Sequence, residues 1–366
     1  MQHYKDYIID FYQPKYREEV IALEKYLWGM NTELNQKYFK WKFEKNPFTS
    51  RTLAAVALYD GRVIGFDGLL PQRWILKGGN SSKTVHSLQT CDACIESLHR
   101  NEGIHKAMNR FISKYFWYKK YELLLQFSGN KVTSKNVLKL GWKPITQKKY
   151  FYIYHFINLC KLLRVNMTKQ FVNDIPIHDE NFSNIELTWN NKPKAMSQLN
   201  KKILYTENII ALDKTEEYLS WRFVNPRSKY FFVYQWNDKR DRLVNYLVFK
   251  IAKNNQLNRI VDFGITDLDQ VKYLFKFIAK HKYFEKIMIL NPNDGFDQFN
   301  FIKKRPFFDP YRYYFAYKEK LEGHGKRYIL VNTIKLNQST LNCFLTKKDI
   351  QNADNWFFLD ICADNI

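Results

Sequence analysis

The feature that most constrains the fold of this chain is an internal repeat. Residues 38–43, followed by Asn46-Pro47, recur as residues 218–223, followed by Asn225-Pro226. After each copy comes a strand pair, then a long strand, a helix, another strand and a closing aromatic strand. Because a repeated sequence indicates a repeated structure, the chain predicts two units of one fold in tandem. The two strand pairs are residues 53–70 and 230–251.

Length and composition agree with two packed units. A chain of 366 residues is longer than a usual single domain, and its 45% hydrophobic and 17% aromatic content excludes a disordered protein. No apolar run reaches the ~18 residues of a membrane span, and the N-terminus lacks a signal-peptide pattern. The sequence therefore predicts a cytoplasmic protein. Its five cysteines, scattered and odd in number, are typical of a reducing compartment.

Cys91 and Cys94 form a Cys-x-x-Cys inside a strand pattern. In a regular strand these two side chains point to opposite faces, so one metal ion cannot easily bind both. No second pair exists to complete a tetrahedral site. We therefore predict two small core residues and no metal.

The net charge of +22 would attract polyanions of any kind. Lysines are dispersed along the chain rather than clustered, and an AT-rich genome produces the same composition. Nucleic acid is therefore not the predicted partner. Positive charge is concentrated locally in one segment, at His99, Arg100, His105, Lys106 and Arg110.

That segment lies within residues 84–116, which predict a strand, a short loop and a helix. Apolar residues recur at helical spacing from Ile104 to Tyr115, and residues 85–95 contain neither Pro nor Gly. A strand that enters a helix leaves unpaired N–H groups that bind anions. Gly103 lets a ligand approach the main chain. The segment predicts a cradle for an acidic ligand.

The same residues resemble a known superfamily. Arg100-x-x-Gly103-x-His105 is similar to the loop with which GNAT acyltransferases hold the pyrophosphate of acyl-coenzyme A, and Ile95-Glu96-Ser97 stands at the place of their Val-x-Pro. A strand at 122–127, Asn130, a short helix and Leu140-Gly141-Trp142 follow in the order of that superfamily. A hairpin with an Asp60-Gly61 turn precedes the loop, as it does there.

The resemblance implies an α+β (mixed α/β) fold of two tandem GNAT-like domains, each a mostly antiparallel central sheet flanked by helices. The predicted divisions are a GNAT-like domain with the acyl-coenzyme A site at 1–158, a linker at 159–200, a second, degenerate GNAT-like domain at 201–318, and a C-terminal extension at 319–366 that packs on a domain. The second domain is predicted to be degenerate because Asp267 and Asp269 stand where its helix begins. These carboxylates would repel a pyrophosphate.

The cosubstrate implied is acetyl-coenzyme A, with no metal. By position, the main chain near Ile95 and Ser97 holds the pantetheine arm, the loop holds the pyrophosphate, and Asn130 caps a helix or touches the cofactor. The predicted cofactor-binding residues are Ile95, Ser97, Arg100, Asn101, Glu102, Gly103, Ile104, His105, Lys106 and Asn130.

Acyl transfer from a thioester to an amine requires a polarised acyl carbonyl, a neutral amine and departure of the thiolate. Asp92 is the candidate base, His86 is the second candidate, and a structural hydrogen-bond acceptor is the alternative role of Asp92. Both lie on one face of a regular strand, although a bulge would change that parity. The tyrosine that often serves as the acid in the superfamily is replaced by Val137, which carries no proton to donate.

The resemblance points to bacterial surface-polysaccharide pathways. The hypothesis is an N-acetyltransferase that modifies an amino group of a nucleotide-linked sugar, with Lys42, Arg222 and Arg73 as candidates to line the acceptor cleft. Two alternatives remain open: a Fem-like transferase that uses aminoacyl-tRNA, and a non-catalytic binding protein. The predicted partner is thus a small-molecule amine; a homodimer is left open.

Overall fold

The computed structural model describes residues 1–78, 81–115, 121–127, 131–147, 150–155, 183–203, 209–252, 257–267, 274, 277–278, 286–290, 314–320, 328–332 and 356–357. The helices are α1 Arg17–Trp28, α2 Thr32–Phe39, α3 Ile104–Tyr115, α4 Lys131–Leu138, α5 Pro193–Lys202 and α6 Glu216–Arg222, with a π-helical turn Lys40–Glu44 after α2 and 3-10 turns Pro14–Tyr16 and Ser97–His99. The strands are β1 Gln2–Tyr4, β2 Tyr7–Phe11, β3 Leu53–Tyr59, β4 Arg62–Gly78, β5 Ser81–Ile95, β6 Leu123–Gln126, β7 Lys143–Gln147, β8 Tyr150–His155, β9 Ile185–Thr188, β10 Ile209–Leu212, β11 Tyr230–Trp236, β12 Leu243–Ile251, β13 Leu257–Ile265, β14 Lys286–Leu290, β15 Tyr314–Lys320, β16 Tyr328–Asn332 and β17 Trp356–Phe357.

The strands form two sheets with one shared order. The first runs β1-β2-β3-β4-β5-β6-β16-β7, and β10 and β17 extend it beside the outer end of β4. The second runs β9-β11-β12-β13-β14-β8-β15. From β2 onward the two orders correspond strand by strand, and the single parallel pair of each path, β5–β6 or β13–β14, falls at the same place.

Two strands are exchanged between these sheets. β8 follows β7 in the chain but lies between β14 and β15 of the second sheet. β16 follows β15 but lies between β6 and β7 of the first. Each sheet is therefore completed by a strand from the other half of the chain.

Local sequence explains the elements beside the predicted site. Asp60 and Gly61 both have positive φ, 48° and 77°, which is the geometry of the two-residue turn that the Asp-Gly pair predicted. The helix expected from the apolar spacing is α3, and its buried face carries Ile104, Ala107, Met108, Phe111 and Ile112.

The repeated segments pack against each other. The indole nitrogen of Trp41 donates to the carbonyl of Trp221 at 2.8 Å, and that of Trp221 donates to the carbonyl of Trp41 at 2.7 Å. The two rings stack with centroids 5.1 Å apart, and Phe48 stacks on Tyr218. Such reciprocal contacts are typical of a two-fold interface, here within one chain.

Buried side chains form two clusters. The larger joins α1, α2 and one face of the first sheet to the second sheet. The smaller lies under α3 on the other face of the first sheet and includes Val137 and Trp142. The predicted fold class, a mixed α/β chain with mostly antiparallel sheets flanked by helices, is confirmed.

Other expectations are met in part. Cys91 and Cys94 are both buried, as predicted, but they lie in the same cluster rather than on opposite faces, because β5 contains a bulge between them. The described part of the predicted linker forms β9 and most of α5. Residues 159–182 of the predicted linker lie outside the described residues. None of the described helices is both long enough and apolar enough to cross a membrane.

Candidate functional site

The candidate site lies where β5 and β6 separate. Their parallel pairing ends at Gln89 and Leu125, whereas β5 stays paired with β4 as far as Ile95. Beyond Gln89 one edge of β5 is therefore not paired with β6. An open edge of this kind can accept a ligand that carries its own amide groups.

Buried polar atoms mark the same point. Thr90 and Gln126 are the residues that directly follow the last paired ones. Thr90 Oγ1 and Gln126 Oε1 are buried without a hydrogen-bond partner among the described residues. By strand alternation Thr90 and Gln126 point to the α3 face, because Leu88 and Leu124 lie in the smaller cluster. Buried polar groups are normally bonded, so these atoms fit the amides of an inserted ligand.

A bulge distorts β5 at this point. Phe66 pairs with Cys94 and Gly68 pairs with Cys91, so that Asp67 alone faces both Asp92 and Ala93. Asp92 has φ of 51°. Bulges re-aim side chains and are frequent next to active sites. Because the bulge interrupts the alternation of side chains along β5, strand alternation no longer places His86 and Asp92 on the same face.

Asp92 makes a buried ion pair. Its Oδ2 lies 2.7 Å from Nζ of Lys42, and the two side chains are 6% and 0% exposed. Lys42 comes from the π-helical turn after α2, so it does not line an open acceptor cleft as proposed. Arg222 is also buried, and Arg73 pairs with Asp213 at 2.7 Å.

Two more carboxyl groups are buried near this pair. Glu24 of α1 is wholly buried, and both its oxygens lack a partner among the described residues. Burial, and then the charge of Asp92, raise the pKa of Glu24 well above its usual range. The same two causes raise the pKa of Asp67 well above its usual range. Lys42 thus pairs with Asp92, while Glu24 and Asp67 are two further buried acids whose pKa values burial and the charge of Asp92 raise.

Asp67 is anchored from α3. The side-chain amide of Asn109 donates to Asp67 Oδ2 at 3.1 Å, whereas Asp67 Oδ1 is buried without a partner among the described residues. The imidazole Nε2 of His105 lies 3.2 Å from the same amide nitrogen and 4.0 Å from Asp67 Oδ2. Burial lowers the pKa of His105. Its ring is thus turned toward Asp67 and favours the neutral form.

The loop before α3 has the predicted shape. Asn101 and Gly103 both have positive φ, 68° and 82°. Arg100 is exposed and donates through Nε to the carbonyl of Ile95 at 3.1 Å. Lys106 and Arg110 are also exposed on the first turns of α3. A helix N-terminus with exposed cations suits a phosphate group.

A contact that the sequence did not indicate supports this loop from β1 and β2. Tyr4 donates to the carbonyl of Glu102 at 3.1 Å, Lys5 pairs with the carboxylate of Glu102 at 2.7 Å, and the hydroxyl of Tyr7 lies 3.2 Å from Nδ1 of His99. A Cβ on Gly103 would come within 2.4 Å of the Tyr4 hydroxyl. Glycine is thus required there by Tyr4 as well as by φ.

The structure does not bring all predicted residues together. From Ile95 to Lys106 the cofactor-binding candidates form one continuous segment. His86 lies six residues before Asp92 on β5, so roughly 20 Å of strand separates the two residues. Its N–H donates to Glu122 Oε2 at 3.1 Å. Val137 is fully buried in the smaller cluster. Asn130 lies outside the described residues.

The second sheet has an equivalent bulge with different chemistry. Val248 pairs with Asp262 and Phe249 with Ile260, so one residue of β13 is extra. Asp262 Oδ1 lies 2.5 Å from Nζ of Lys214, and the hydroxyl of Tyr246 donates to Oδ2 at 2.9 Å. The N–H groups of Thr266 and Asp267 after β13 donate to Asn245 Oδ1.

Glu24 and Asp67 were missed by sequence reasoning, although a signal was present. Glu24 stands among Val20, Ile21 and Leu23 on the apolar face of α1, and Asp67 stands in an otherwise apolar strand after Phe66. Asp and Glu are seldom fully buried, so a carboxyl residue at an inward position is a signal of a structural or functional role. No group of three or more His, Cys, Asp or Glu side chains in the described ranges is placed to hold a metal ion.

Comparison with known proteins identifies the fold of this chain. No protein-family model matches this chain, and no curated protein matches it. A conserved protein of unknown function from Enterococcus faecalis V583, a probable N-acyltransferase, superposes with a TM-score of 0.61 at 12% identity, over 90% of this chain and 73% of that one. A GCN5-related N-acetyltransferase from Anabaena variabilis gives 0.59, also at 12% identity, over 90% and 73%. Eis1 from Mycobacterium abscessus gives 0.52 at 12% identity, over 90% and 74%. The chain has the fold of the GCN5-related N-acetyltransferases.

Proposed function

We propose that this chain is an acyl-coenzyme A-dependent N-acyltransferase that uses acetyl-coenzyme A. The observation that carries the proposal is the separation of β5 from β6 at Thr90 and Gln126, with unpartnered buried polar atoms beside it and a cationic helix N-terminus at the end of β5. The similar folds support acyl transfer as the reaction class.

The residues fit the cosubstrate in two places. Arg100 and Lys106, with the first main-chain N–H groups of α3, would hold the pyrophosphate. The edge of β5 from Thr90 to Cys94, which is not paired with β6, and the side chain of Gln126 would bond the amides of the pantetheine arm. When bound, acetyl-coenzyme A supplies an acyl group activated as a thioester, so positioning contributes much of the rate.

The proposed acceptor is the amino group of a nucleotide-linked sugar of a surface-polysaccharide pathway. The net charge of +22 suits the diphosphate of such a molecule. Asp92 is the proposed acceptor of the amine proton, held in place by Lys42 at 2.7 Å. Because that pair is buried, the amino group of the acceptor would approach Asp92 from the bulged edge of β5.

Calorimetric titration with coenzyme A, combined with thermal unfolding, tests the cosubstrate. A ligand at 100 times its Kd stabilises the folded state by about 2.7 kcal/mol, so the unfolding temperature should rise. Arg100→Ala should lose most of that rise, whereas Lys239→Ala, an equal charge change on the β11–β12 hairpin, should keep it. An unchanged unfolding temperature in the unaltered protein would contradict the proposal.

Thiol release from acetyl-coenzyme A, assayed against a panel of UDP- and dTDP-linked amino sugars, tests the acceptor. Turnover with one panel member above the rate in water would support the assignment. Binding of coenzyme A with no turnover on any member would place the acceptor in another class of amine.

A further inference from the structure

We propose that Asp67 is the catalytic acid of this site and donates its proton to the sulfur of the departing coenzyme A. The inference rests on the proposed function. It answers a chemical need that the sequence leaves open, because the thiolate must be protonated and Val137 stands where the superfamily resemblance places a tyrosine.

Three buried acids of the first half are candidates for this role. Asp92 is excluded as the donor, because its carboxylate is ion-paired with Lys42 at 2.7 Å. Glu24 and Asp67 each have at least one buried oxygen without a partner among the described residues. The face of the sheet on which they lie distinguishes them.

Glu24 belongs to α1, whose apolar residues lie in the larger cluster. Asp67 is bonded by Asn109 of α3, on the face that carries Val137 and Trp142. Asp67 is therefore on the same side of the sheet as the missing tyrosine. It also stands directly opposite the bulge of β5, one strand from the gap beside Thr90.

The hydrogen bonds locate its proton. The amide of Asn109 donates to Oδ2, which must accept, so Oδ1 is left to carry a hydrogen. The charged and titratable groups around it are Asp92 on β5, His105 on α3 at 4.0 Å, Glu24 on α1, and Lys42, which is taken up by Asp92. Burial and the charge of Asp92 both raise the pKa of Asp67 well above its usual range, which favours the protonated form of this acid.

The second half provides a contrast within the same molecule. Val248 and Phe249 are the residues of β12 that flank its bulge, and both are apolar. Asp262 is bound by Lys214 and Tyr246. Asp67, with its unpartnered oxygen opposite the bulge, therefore has no counterpart on β12. It lies in the first half, which also carries the cationic loop before α3.

The step balances without an additional reagent. The neutral amine attacks the thioester carbonyl, the C–S bond breaks, and its electron pair goes to sulfur. Asp67 Oδ1 gives its proton to that sulfur and becomes a carboxylate. The nitrogen loses one proton to Asp92 as the amide forms, which equals in number the proton that sulfur gains. Asp92 later releases its proton to water, and His105, which is partly exposed beside Asp67, relays a proton from water back to Asp67.

The test compares acyl donors that differ in the leaving thiol. Asp67→Asn keeps a neutral side chain of the same shape but cannot supply this proton. We expect its turnover of acetyl-coenzyme A, with water or a panel amine as acceptor, to fall about 100-fold or more. Turnover of the acetyl thioester of para-nitrothiophenol, whose thiolate leaves without a proton, should fall less than about threefold, because the lost step is not needed. Glu24→Gln is the matched control and should leave the turnover of both donors close to that of the unaltered protein.

The unaltered protein gives a second test that needs no variant to fold. With the same acceptor for both donors, the ratio of its turnover of acetyl-coenzyme A to its turnover of the aryl thioester should be highest at low pH. The ratio should fall as pH rises and Asp67 loses its proton, because only acetyl-coenzyme A needs that proton. Equal pH profiles for both donors, equal losses in Asp67→Asn, or a selective loss in Glu24→Gln would overturn the assignment. Should coenzyme A fail to bind the unaltered protein in the calorimeter, the proposed function itself would fail instead.

Discussion

The two halves of this molecule each bury a lysine–aspartate pair at the same place, beside a bulge in the first strand of the parallel pair, β5 or β13. In the second half, Asp262 is shared by Lys214 and Tyr246, and the hydroxyl of Tyr246 in turn accepts from Asn200 at 2.8 Å. In the first half, Lys42 faces Asp92 while Glu24 and Asp67 add two further acids. One arrangement is charge-balanced and the other carries an excess of acid.

This difference supports the proposal that the first half carries the chemistry. A buried acid without a partner destabilises the folded state, so a structure that needs only packing would replace it with an apolar residue. The second half has Val248 and Phe249 beside its bulge. The first half keeps Asp67 at the edge of the candidate cofactor gap. Buried acids with a raised pKa are commonly found at functional sites.

The largest expected effect concerns the independence of the halves. A chain that ends at residue 320 would lack β16 and β17, and β6 and β7 would lose the strand between them. We expect it to lose its cooperative unfolding transition and its coenzyme A binding, as measured by circular dichroism and calorimetry. A chain that ends at residue 357 keeps both strands and should retain both properties. A shortened chain that still bound coenzyme A would show that the first half is self-sufficient.

The next largest effect compares the two buried lysines, Lys42 in the first half and Lys214 in the second. Lys42→Met and Lys214→Met each leave a buried aspartate without its cation, which costs about 3–5 kcal/mol of unfolding free energy. Urea unfolding at neutral pH should show losses of this size in both variants. Both should recover as pH falls, because protonation removes the unpaired charge. Only Lys42→Met should also reduce thiol release, and an equal loss in Lys214→Met would contradict the division of roles.

The excess acid should make stability depend on pH. A carboxyl group whose pKa is raised in the folded state binds protons more tightly there, so stability declines as pH rises from its ordinary value, near 4.5 for Glu24, toward the raised one. The decline is at most about 1.4 kcal/mol per pH unit for one group. Glu24→Gln should flatten the pH dependence of the urea midpoint. Glu18→Gln, an exposed change on the same helix, should leave it as steep as before.

The smallest effect tests the symmetry itself. Trp41→Phe and Trp221→Phe each remove one of two reciprocal hydrogen bonds, 2.8 and 2.7 Å long, and leave one buried carbonyl without its donor. Each should cost about 1–3 kcal/mol of unfolding free energy. Chemical denaturation should give similar losses for the two variants. A difference greater than about 1 kcal/mol would mean that the interface is not symmetric in energy.

Much of the fold was predictable because its signals are local. The Asp60-Gly61 turn, the apolar face of α3 and the pair β11–β12 each follow from residues close together in the sequence. The bulge at Asp92 was not predictable, since nothing in an alternating pattern marks the extra residue. The inward direction of Lys42 depends on Asp92, fifty positions later, and so was assigned wrongly to an acceptor cleft.

The candidate site divides in the same way. The loop from Arg100 to Lys106 was found from its glycine and its helix. Asp67 and Glu24 matter through burial and through neighbours on other elements, which no local pattern contains. The exchange of β8 and β16 was also outside reach, because local sequence sets the propensity of a strand but not its partner.

The exchanged strand β16 also sets the order in which the molecule can be made. On a ribosome the amino-terminal part of a nascent polypeptide usually folds first. Here the sheet that flanks the gap at Thr90 needs residues 328–332, which emerge long after Thr90 itself. The early half must therefore wait, incomplete, through most of translation, and the sheet beside the candidate site is completed only when β16 has been synthesised.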